Sequence, residues 1–414
     1  MSAAQAHALT VAELAAIAQV MKRVGAGVQG PLLASLIAGG KSNLTFKLSD
    51  GVSSWVLRTP PRTGRTPSAH DVAREFRVTS ALSGTDVPVA RPVALEEDES
   101  LIGGPFAIAE FATGRTIQTR AQLDELDERT ISAVAVELVT VLATLHQVDP
   151  AVIGLGQFGR FDAYAERQLK RWAGQWELVA PPGLTERGNR VAAHLAERIP
   201  RQLTASVVHG DYRIDNTLLA ADPAGALRVA AVVDWELSTI GDPVADVAMM
   251  CAYRESAFDL IIGAPSAWTS PRLPGALELA ARYEAVGGER LNDFGFHLAL
   301  AYFKIAAIAA GIDYRLRAGA VSGEGFATAG ESVPVYLELA DRALRKRLPR
   351  RGAARRPRPG EVTGRRRRVS RARRTRGGRR SRRDRGRAVP TECGRHPGRA
   401  WGRCAAAPRP PSTT

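Results

Sequence analysis

The feature that most constrains this chain is the stretch VVHGDYRIDNTLL at residues 207–219, where polar side chains are crowded between two apolar runs. An imidazole, two carboxylates, a guanidinium and a carboxamide occur in its central part. Polar groups without partners are costly to bury, so the segment is predicted to be a polar loop seated on a core that its flanks help to form. Downstream, AAVVDWE places Asp234 at the end of an apolar, strand-like run, from which a carboxylate commonly reaches into a cleft.

Three oxygen-bearing side chains in these two segments suit a hard cation. Asp211 and Asn216 stand five positions apart, and Asp234 ends the next apolar run. Mg²⁺ prefers oxygen ligands and typically takes one or two protein groups together with phosphate oxygens. The pattern therefore predicts a Mg²⁺ site at which a phosphate compound is bound.

The N-terminal part is predicted to be an α+β unit. Thr10 and Glu13 form a capping-box pattern that opens the amphipathic helix TVAELAAIAQVMKRV. A second helix, SAHDVAREFRVTSAL with Ser68 as its N-cap, is expected between the third and fourth of five strands. These strands are predicted in ASLIAGG, NLTFKLSDG, SSWVLRTP, VARPVALEED and PFAIAEF.

In this unit, strand alternation and helical periodicity predict that two side chains of opposite charge face each other. Alternation within WVLR places Arg58 on one face of the third strand, and Glu75 lies on the inner face of the second helix. That face is marked by Val72, Phe76 and Thr79. A carboxylate there is costly unless it is paired, so Arg58 is its expected partner, in a pair that serves either structure or function.

Beyond Gly114 helical patterns dominate, as in DERTISAVAVELVTVLATLHQVD and GFHLALAYFKIAAIAAGI. We expect a sheet-containing lobe over residues 1–114, a helical lobe over 115–348 and a tail over 349–414. The fold class is therefore α+β. Three aromatic residues of the second lobe either line a substrate pocket or pack in the core: Trp172, Trp176 and Tyr302.

Two glycine-rich stretches resemble nucleotide-binding motifs without their structural context. GAGVQG follows a helix and precedes Pro31, whereas a dinucleotide fingerprint needs a strand before it and a helix after it. SLIAGGKS, residues 35–42, lacks the first glycine of a P-loop and precedes the strand pattern NLTFKL instead of a helix. The first is predicted to be a plain loop, and the second a strand, loop and strand.

The positive charge of the chain is concentrated at its C-terminus. Residues 351–414 hold 22 arginines, no lysine and three acidic residues, while the other 350 residues hold 35 basic and 39 acidic ones. Such a composition buries too little apolar surface to fold, so the tail is predicted to be disordered. Disorder without function, an arm that binds nucleic acid or acidic partners, and an out-of-frame translation of GC-rich DNA all stay open.

Cysteine usage and hydropathy indicate a cytoplasmic protein without a membrane partner. The chain has three cysteines, Cys251, Cys393 and Cys404, which argues against a disulfide framework. A zinc site in the tail would lack a fourth ligand. No uninterrupted apolar run reaches the roughly 18 residues of a membrane span, and no signal-peptide pattern opens the chain.

Two ordered motifs, HGDYRIDN and VVDWE, resemble the catalytic loop and the metal-binding strand of the aminoglycoside phosphotransferase and choline kinase superfamily. The segments GGKSNLTF, WVLRTPP and DWELSTIGDPVADVA further resemble the branch related to the kinase-like domain that is joined to acyl-CoA dehydrogenases. The resemblance covers about residues 12–347. It implies a bilobal, protein-kinase-like fold with a small antiparallel-sheet lobe and a larger helical lobe.

The resemblance also implies roles for single residues. Asp211 would orient the acceptor hydroxyl and take its proton, while Asn216 and Asp234 would hold Mg²⁺ on the phosphates of ATP. Arg58 would stand where kinases use a lysine on the third strand, paired with Glu75. Because arginine keeps the charge and the bidentate geometry, phosphate anchoring is retained by this replacement.

The nucleotide would lie between the lobes. The loop that contains Gly40, Lys41, Ser42 and Asn43 would close over the phosphates, and backbone groups from Glu110 to Ala112 would bind adenine. Three further residues are expected to shape or brace the catalytic loop and its neighbours: His209, Asp242 and Asp246. His146 ends a helix and is expected to make a structural contact, not to act as a ligand.

Arg213 stands two residues after Asp211, where it either neutralises the transferring phosphoryl group or is solvated, and Asp215 is predicted to be a surface or capping residue.

The implied activity is Mg·ATP-dependent transfer of a phosphoryl group to a hydroxyl of a small molecule. A nucleotide-binding pseudokinase or scaffold is the alternative, and retention of Asp211, Asn216 and Asp234 together weighs against it. Nucleic acid is an expected partner only through the tail. The acceptor stays open between an aminoglycoside, a hydroxyacyl compound and another metabolite, as does the oligomeric state.

Overall fold

A computed structural model describes residues 8–38, 43–61, 71–319 and 327–345, all within one compact unit. The N-terminal part contains an antiparallel sheet in the order β1-β2-β3-β5-β4. Its strands are β1 Leu33–Ala38, β2 Leu44–Ser49, β3 Ser54–Thr59, β4 Pro92–Glu96 and β5 Phe106–Glu110, and its helices are α1 Val11–Arg23 and α2 Val72–Leu82. The five predicted strands and two helices are all present.

The N-terminal core lies between α1 and one face of the sheet. Burial alternates along β2 and β3, as a strand period of two requires. Phe46, Trp55 and Leu57 are buried with Met21 of α1, which leaves Arg58 on the other face. The predicted capping box at Thr10 opens α1 as expected.

Helix α2 differs from its prediction in two details. Its N-cap is Asp71, whose side chain accepts a hydrogen bond from the Arg74 N–H at 2.8 Å, and not Ser68, which lies outside the described residues. Val72 and Glu75 lie on the buried face as predicted, but Phe76 and Thr79 are only half-buried, and Val78 and Leu82 complete that face. Glu75 is therefore central to the buried face.

The C-terminal part is mainly helical and contains two short antiparallel pairs, β6 with β9 and β7 with β8. The helices are α3 Arg120–Asp124, α4 Glu128–Gln147, α5 Tyr164–Val179, α6 Thr185–Ala196, α7 Pro243–Ala252, α8 Phe258–Ile262, α9 Ala276–Ala285, α10 Phe294–Arg317 and α11 Ala329–Arg345. The strands are β6 Ser206–Val208, β7 Thr217–Ala221, β8 Leu227–Val232 and β9 Thr239–Gly241. The segment that was predicted to be a polar loop connects β6 to β7.

Helices α4 and α10 are long and apolar enough to span a membrane by length and composition alone. Buried residues make up 56% and 78% of their apolar windows, and both helices contribute to the main core. The core helices of globular proteins commonly have this length and composition. The expectation of no membrane partner stays a prediction.

Several expectations fall beyond the described residues. The Arg-rich tail, with Cys393 and Cys404, lies outside them, so the three interpretations of the tail stand as before. Cys251 is a buried free thiol on α7. The lobe boundaries at residues 114 and 348 also stay predictions, although β5 ends at Glu110.

Packing between α5 and α6 gives the first testable prediction. Gly188 of α6 lies directly against the indole of Trp176, so a Cβ atom at this position would overlap the ring. Gly188→Ala should lower the free energy of unfolding by about 1–3 kcal/mol, measured by urea denaturation, because a packed core resists added volume. Gly174→Ala on α5 is the matched control. Its Cβ meets no atom within 4 Å, so it should be neutral or stabilise the protein by about 0.5–1 kcal/mol. Equal effects of the two substitutions would contradict this packing argument.

Candidate active site

The loop after β6 is fixed by a carboxylate from α7. The backbone N–H groups of His209 and Gly210 donate to Asp246 at 2.7 and 2.8 Å. Gly210 has a φ of 84°, and a Cβ atom there would lie 2.8 Å from the carbonyl oxygen of Leu237. This turn therefore requires glycine. The next residue, Asp211, therefore follows directly on a fixed turn, with its side chain mostly buried.

The histidines and aspartates beside this loop have the bracing contacts that we expected. His209 is fully buried, and its Nε2 lies 3.0 Å from the Val233 carbonyl oxygen. His146 lies 3.2 Å from Asp246 through Nε2 and 2.7 Å from the Tyr283 hydroxyl through Nδ1. Asp242 caps α7 by accepting a hydrogen bond from the Val244 N–H at 2.9 Å.

Asp211 and Asn216 contact each other directly. The Asn216 Nδ2 donates to the Asp211 carbonyl oxygen at 2.7 Å and to its carboxylate at 3.0 Å. Asn216 is held in position by a single turn of 3₁₀ helix over Ile214–Asn216. Because Nδ2 is used twice, the Oδ1 of Asn216 is the atom left to face a cation.

Asp234 follows β8 in the left-handed backbone conformation, with φ 65° and ψ 57°. Asn and Asp adopt this region more readily than other residues with a Cβ, because their short polar side chains can hydrogen-bond locally. The Asp234 Oδ1 lies 3.4 Å from a terminal nitrogen of Arg58. The arginine of β3 thus reaches a carboxylate of the C-terminal part.

Arg58 also forms the predicted ion pair with Glu75. Its Nε lies 2.9 Å from Glu75 Oε2, and its terminal nitrogen donates to Oε1 at 3.2 Å. The Asn43 side chain donates to the same Oε1 at 2.8 Å. Burial raises the pKa of Glu75 to about 7, although Arg58 opposes that rise. One cation therefore contacts two carboxylates, Glu75 and Asp234.

Arg213 is neither solvated nor free to approach a distant group. Its terminal nitrogen lies 3.2 Å from Asp211 and 3.1 Å from Asp215, and the guanidinium lies over the rings of Tyr253 and Phe258, 4.8 and 5.0 Å from their centroids. The side chain of Asp215 is mostly buried, so its assignment as a surface or capping residue was wrong. The charge of Arg213 requires this second carboxylate because the guanidinium is buried.

The strand end proposed to bind adenine has two backbone donors already in use. The N–H of Glu110 donates to the Arg91 carbonyl at 2.8 Å, and the N–H of Phe111 donates to the Ser54 carbonyl at 3.2 Å. The Glu110 side chain forms an ion pair with Arg91. The predicted contact therefore falls to the carbonyl groups of this segment and to the backbone of Ala112. Gly40, Lys41 and Ser42 lie outside the described residues.

The residues present suit a magnesium ion that is shared with phosphate. Asn216 offers a carboxamide oxygen, and Asp234 offers a carboxylate directly after Val233, whose N–H donates to the Asn216 carbonyl at 2.9 Å. Over the described ranges, no group of three or more His, Cys, Asp or Glu side chains forms a metal cage. Mg²⁺ commonly binds through one or two protein groups and completes its shell with phosphate and water, so this small donor set fits it.

Two contacts at this site were absent from the sequence reasoning. Arg74 of α2 donates to the Ser238 carbonyl at 3.0 Å and to the Phe158 carbonyl at 3.1 Å, which attaches α2 to the C-terminal part. Lys304 of α10 donates to the Gly210 carbonyl at 3.5 Å. A lysine within the apolar pattern of α10 was the one available signal for the second contact.

Known proteins resemble this chain over more than half of its length. The sequence profile of the group described as "Phosphotransferase enzyme family" matches residues 34–291. Acyl-CoA dehydrogenase family member 10 of Mus musculus is 32% identical over 321 residues, which cover 77% of this chain and 30% of that protein. Family member 11 of Gallus gallus is 32% identical over 323 residues, which cover 76% and 40%. The chain thus spans less than half the length of these curated relatives.

Solved structures share the two-lobed architecture. A Ralstonia eutropha protein described as a candidate aminoglycoside phosphotransferase superposes with a TM-score of 0.68 and 34% identity, over 80% of this chain and 97% of that one. Aminoglycoside phosphotransferase APH(4)-Ia in complex with AMP-PNP and hygromycin B gives a TM-score of 0.51 and 18% identity, over 76% and 93%. The fold is therefore bilobal and kinase-like, as predicted, with an antiparallel-sheet lobe and a helical lobe.

Glu75 provides a pH-dependent prediction. Its folded-state pKa of about 7 lies above the ordinary 4.5, so the folded protein binds this proton more tightly than the unfolded chain. The contribution of Glu75 to the free energy of unfolding should fall as pH rises from about 4.5 to about 7 and stay constant above. Glu75→Gln does not titrate, so its stability relative to wild type should rise over this window by up to about 3 kcal/mol.

Urea denaturation of both proteins across this pH range measures the difference. Glu97→Gln, at an exposed position after β4, controls for the lost negative charge. A difference between Glu75→Gln and wild type that stays constant with pH would contradict the assignment.

Proposed function

The chain belongs to the phosphotransferase enzyme family, and on that premise we propose that it transfers the γ-phosphoryl group of Mg·ATP to a hydroxyl of a small molecule. The observation that carries the proposal is the position of Arg58, which contacts Glu75 at 2.9 Å and Asp234 at 3.4 Å. A cation of the sheet lobe and the carboxylate proposed to hold the metal thus meet in one cleft. Phosphoryl transfer requires this combination, because its catalysis consists mainly of positioning and charge stabilisation.

Asn216 and Asp234 would hold the magnesium ion. When bound, Mg²⁺ would neutralise charge on the phosphate oxygens. Asn216 presents Oδ1 because its Nδ2 is committed to Asp211, and the conformation of Asp234 sets the direction of its carboxylate. Arg58, kept in place by Glu75, adds positive charge on the phosphate side.

Asp211 would orient the acceptor hydroxyl and take its proton as the new P–O bond forms. Its carboxylate is held by Asn216 at 3.0 Å and by Arg213 at 3.2 Å. Arg213 is itself fixed by Asp215 and two aromatic rings, so we assign it to positioning Asp211. This assignment replaces the direct contact with the phosphoryl group that the sequence left open.

The remaining parts of the proposal concern the nucleotide and its setting. The carbonyl of Glu110 and the N–H of Ala112 would bind adenine, and the loop with Gly40, Lys41, Ser42 and Asn43 would cover the phosphates. AMP-PNP bound to the neighbour APH(4)-Ia, within the same fold, supports ATP as the donor. A cytoplasmic location is proposed on the low cysteine content.

Removing the charge of Asp234 tests the metal site. Asp234→Asn keeps the side-chain size and a residue type that tolerates the left-handed backbone, so the loop should stay intact. We expect the dissociation constant of Mg·ATP to rise at least about tenfold in calorimetric titrations, while metal-free ATP is little affected. Asp162→Asn, at an exposed carboxylate, should bind like wild type. Unchanged Mg·ATP binding by Asp234→Asn would refute the assignment.

Removing the carboxylate of Asp211 tests catalysis separately from binding. Asp211→Asn should lower kcat by about 10²–10⁴-fold, as loss of a general base commonly does, and should leave the dissociation constant of Mg·ATP nearly unchanged. Phosphate transfer to a panel of hydroxyl compounds supplies the readout. Wild-type protein that binds Mg·ATP but phosphorylates none of them would favour a nucleotide-binding scaffold without turnover.

A further inference from the structure

A cleft lies beside the catalytic loop, between α5, α7 and α10. Its walls are largely apolar and aromatic, as in most small-molecule sites. Tyr164 and Trp172 come from α5, Met249 comes from α7, and Leu300 comes from α10. The two ionisable nitrogen groups of the lining, His297 and Lys304, also come from α10.

Lys304 supplies the charge of this cleft. Among the described residues that line it, none is Asp, Glu or Arg. Burial lowers the pKa of His297 to about 4, so this imidazole is neutral at pH 7, and its Nδ1 has no hydrogen-bond partner within the described residues. The cleft therefore presents one ammonium group and no carboxylate.

The ammonium group of Lys304 is only partly satisfied. Its Nζ donates to the Gly210 carbonyl at 3.5 Å and lies 5.7 Å from the centre of the Trp172 ring. It forms no ion pair with any carboxylate in the part of the chain that the structure describes. Burial lowers the pKa of Lys304, and Asp211 and Asp246 oppose that shift from a distance. An ammonium group with unused donors in an apolar cleft is costly, and a bound anion would offset that cost.

We propose that Lys304 determines acceptor specificity by binding an anionic group of a hydroxyl compound with an apolar body. This inference rests on the proposed phosphotransferase function, because Lys304 contacts Gly210, the residue before Asp211. An anion held at Nζ places the rest of the acceptor next to the catalytic carboxylate. A polycationic acceptor is disfavoured, since the described lining repels an amine through Lys304 and offers it no carboxylate.

A purely structural role for Lys304 makes a different prediction. If the ammonium group only braced the Gly210 carbonyl, any side chain that donates a hydrogen bond could replace it, and ligand charge would have no influence. Lys304→Gln keeps a donor and removes the charge. Lys304→Met removes both. Lys170→Gln, on the exposed face of α5, removes the same charge from the same lobe outside the cleft.

Three six-carbon alcohols serve as probes that carry a carboxylate, a neutral hydroxyl or an ammonium group at the far end: 6-hydroxyhexanoate, hexane-1,6-diol and 6-aminohexan-1-ol. Ligand-observed NMR titration of the full chain without ATP gives their dissociation constants, and phosphate transfer is assayed in parallel. We expect wild type and Lys170→Gln to bind 6-hydroxyhexanoate about tenfold more tightly than the diol, and the amine most weakly. Lys304→Gln should reduce this preference to near unity.

Four outcomes would overturn the proposal. Three of them are binding of none of the probes, equal binding of all three by wild type, and the same preference in Lys304→Gln as in wild type. Reduced binding in Lys304→Met alone would identify a brace and also overturn it. Failure of the proposed function would look different, because Mg·ATP would not bind or no probe would be phosphorylated while the charge preference persisted.

Discussion

The arrangement of the site depends on the buried carboxylate of Asp246 on α7. Its oxygens accept hydrogen bonds from the backbone N–H groups of His209 and Gly210, and His146 contacts it from α4. Burial opposes the charge, but these contacts outweigh it and hold the pKa of Asp246 below its ordinary value. A buried carboxylate without such partners is costly, so the loop, α4 and α7 must meet at one point. The position of Asp211, one residue after Gly210, follows from that requirement.

Two arginines connect this loop region to the sheet lobe. Arg58 contacts Glu75 within its own lobe and Asp234 across the cleft, while Arg74 donates to the Ser238 carbonyl beyond Asp234. Glu75 and Arg74 are neighbours on α2, so the helix that carries the buried carboxylate is itself attached to the helical lobe. The charges are therefore brought together by the fold before a nucleotide binds. Such preorganisation is how a protein stabilises charge without reorganising during the reaction.

Sequence reasoning located the parts of this site that local pattern determines. Alternation in β3 and helical periodicity in α2 were sufficient to place Arg58 opposite Glu75, and motif spacing brought Asp211 to Asn216. It failed where the burial of a side chain is determined by a contact with residues far away in the sequence, or by a contact that follows no periodicity. The burial of Asp215 depends on the direction of Arg213, which is set by two aromatic rings about 40 residues further along the chain. Tertiary contacts of this kind leave no signal in local pattern.

The position of Lys304 shows where folding and chemistry have different requirements. Helix α10 is long and largely apolar, and most of its residues are buried. An apolar side chain at position 304 would pack there without the desolvation cost of an ammonium group. The lysine nevertheless contacts the catalytic loop, and its one hydrogen bond within the described residues, at 3.5 Å, is too long to compensate that cost. Residues that are unfavourable for local packing and stability commonly belong to a functional site. Arg213, by contrast, forms ion pairs with both Asp211 and Asp215, which offset the cost of burying its charge. The two cations beside Asp211 thus differ in kind: Arg213 is committed to the protein, and Lys304 is available to a ligand.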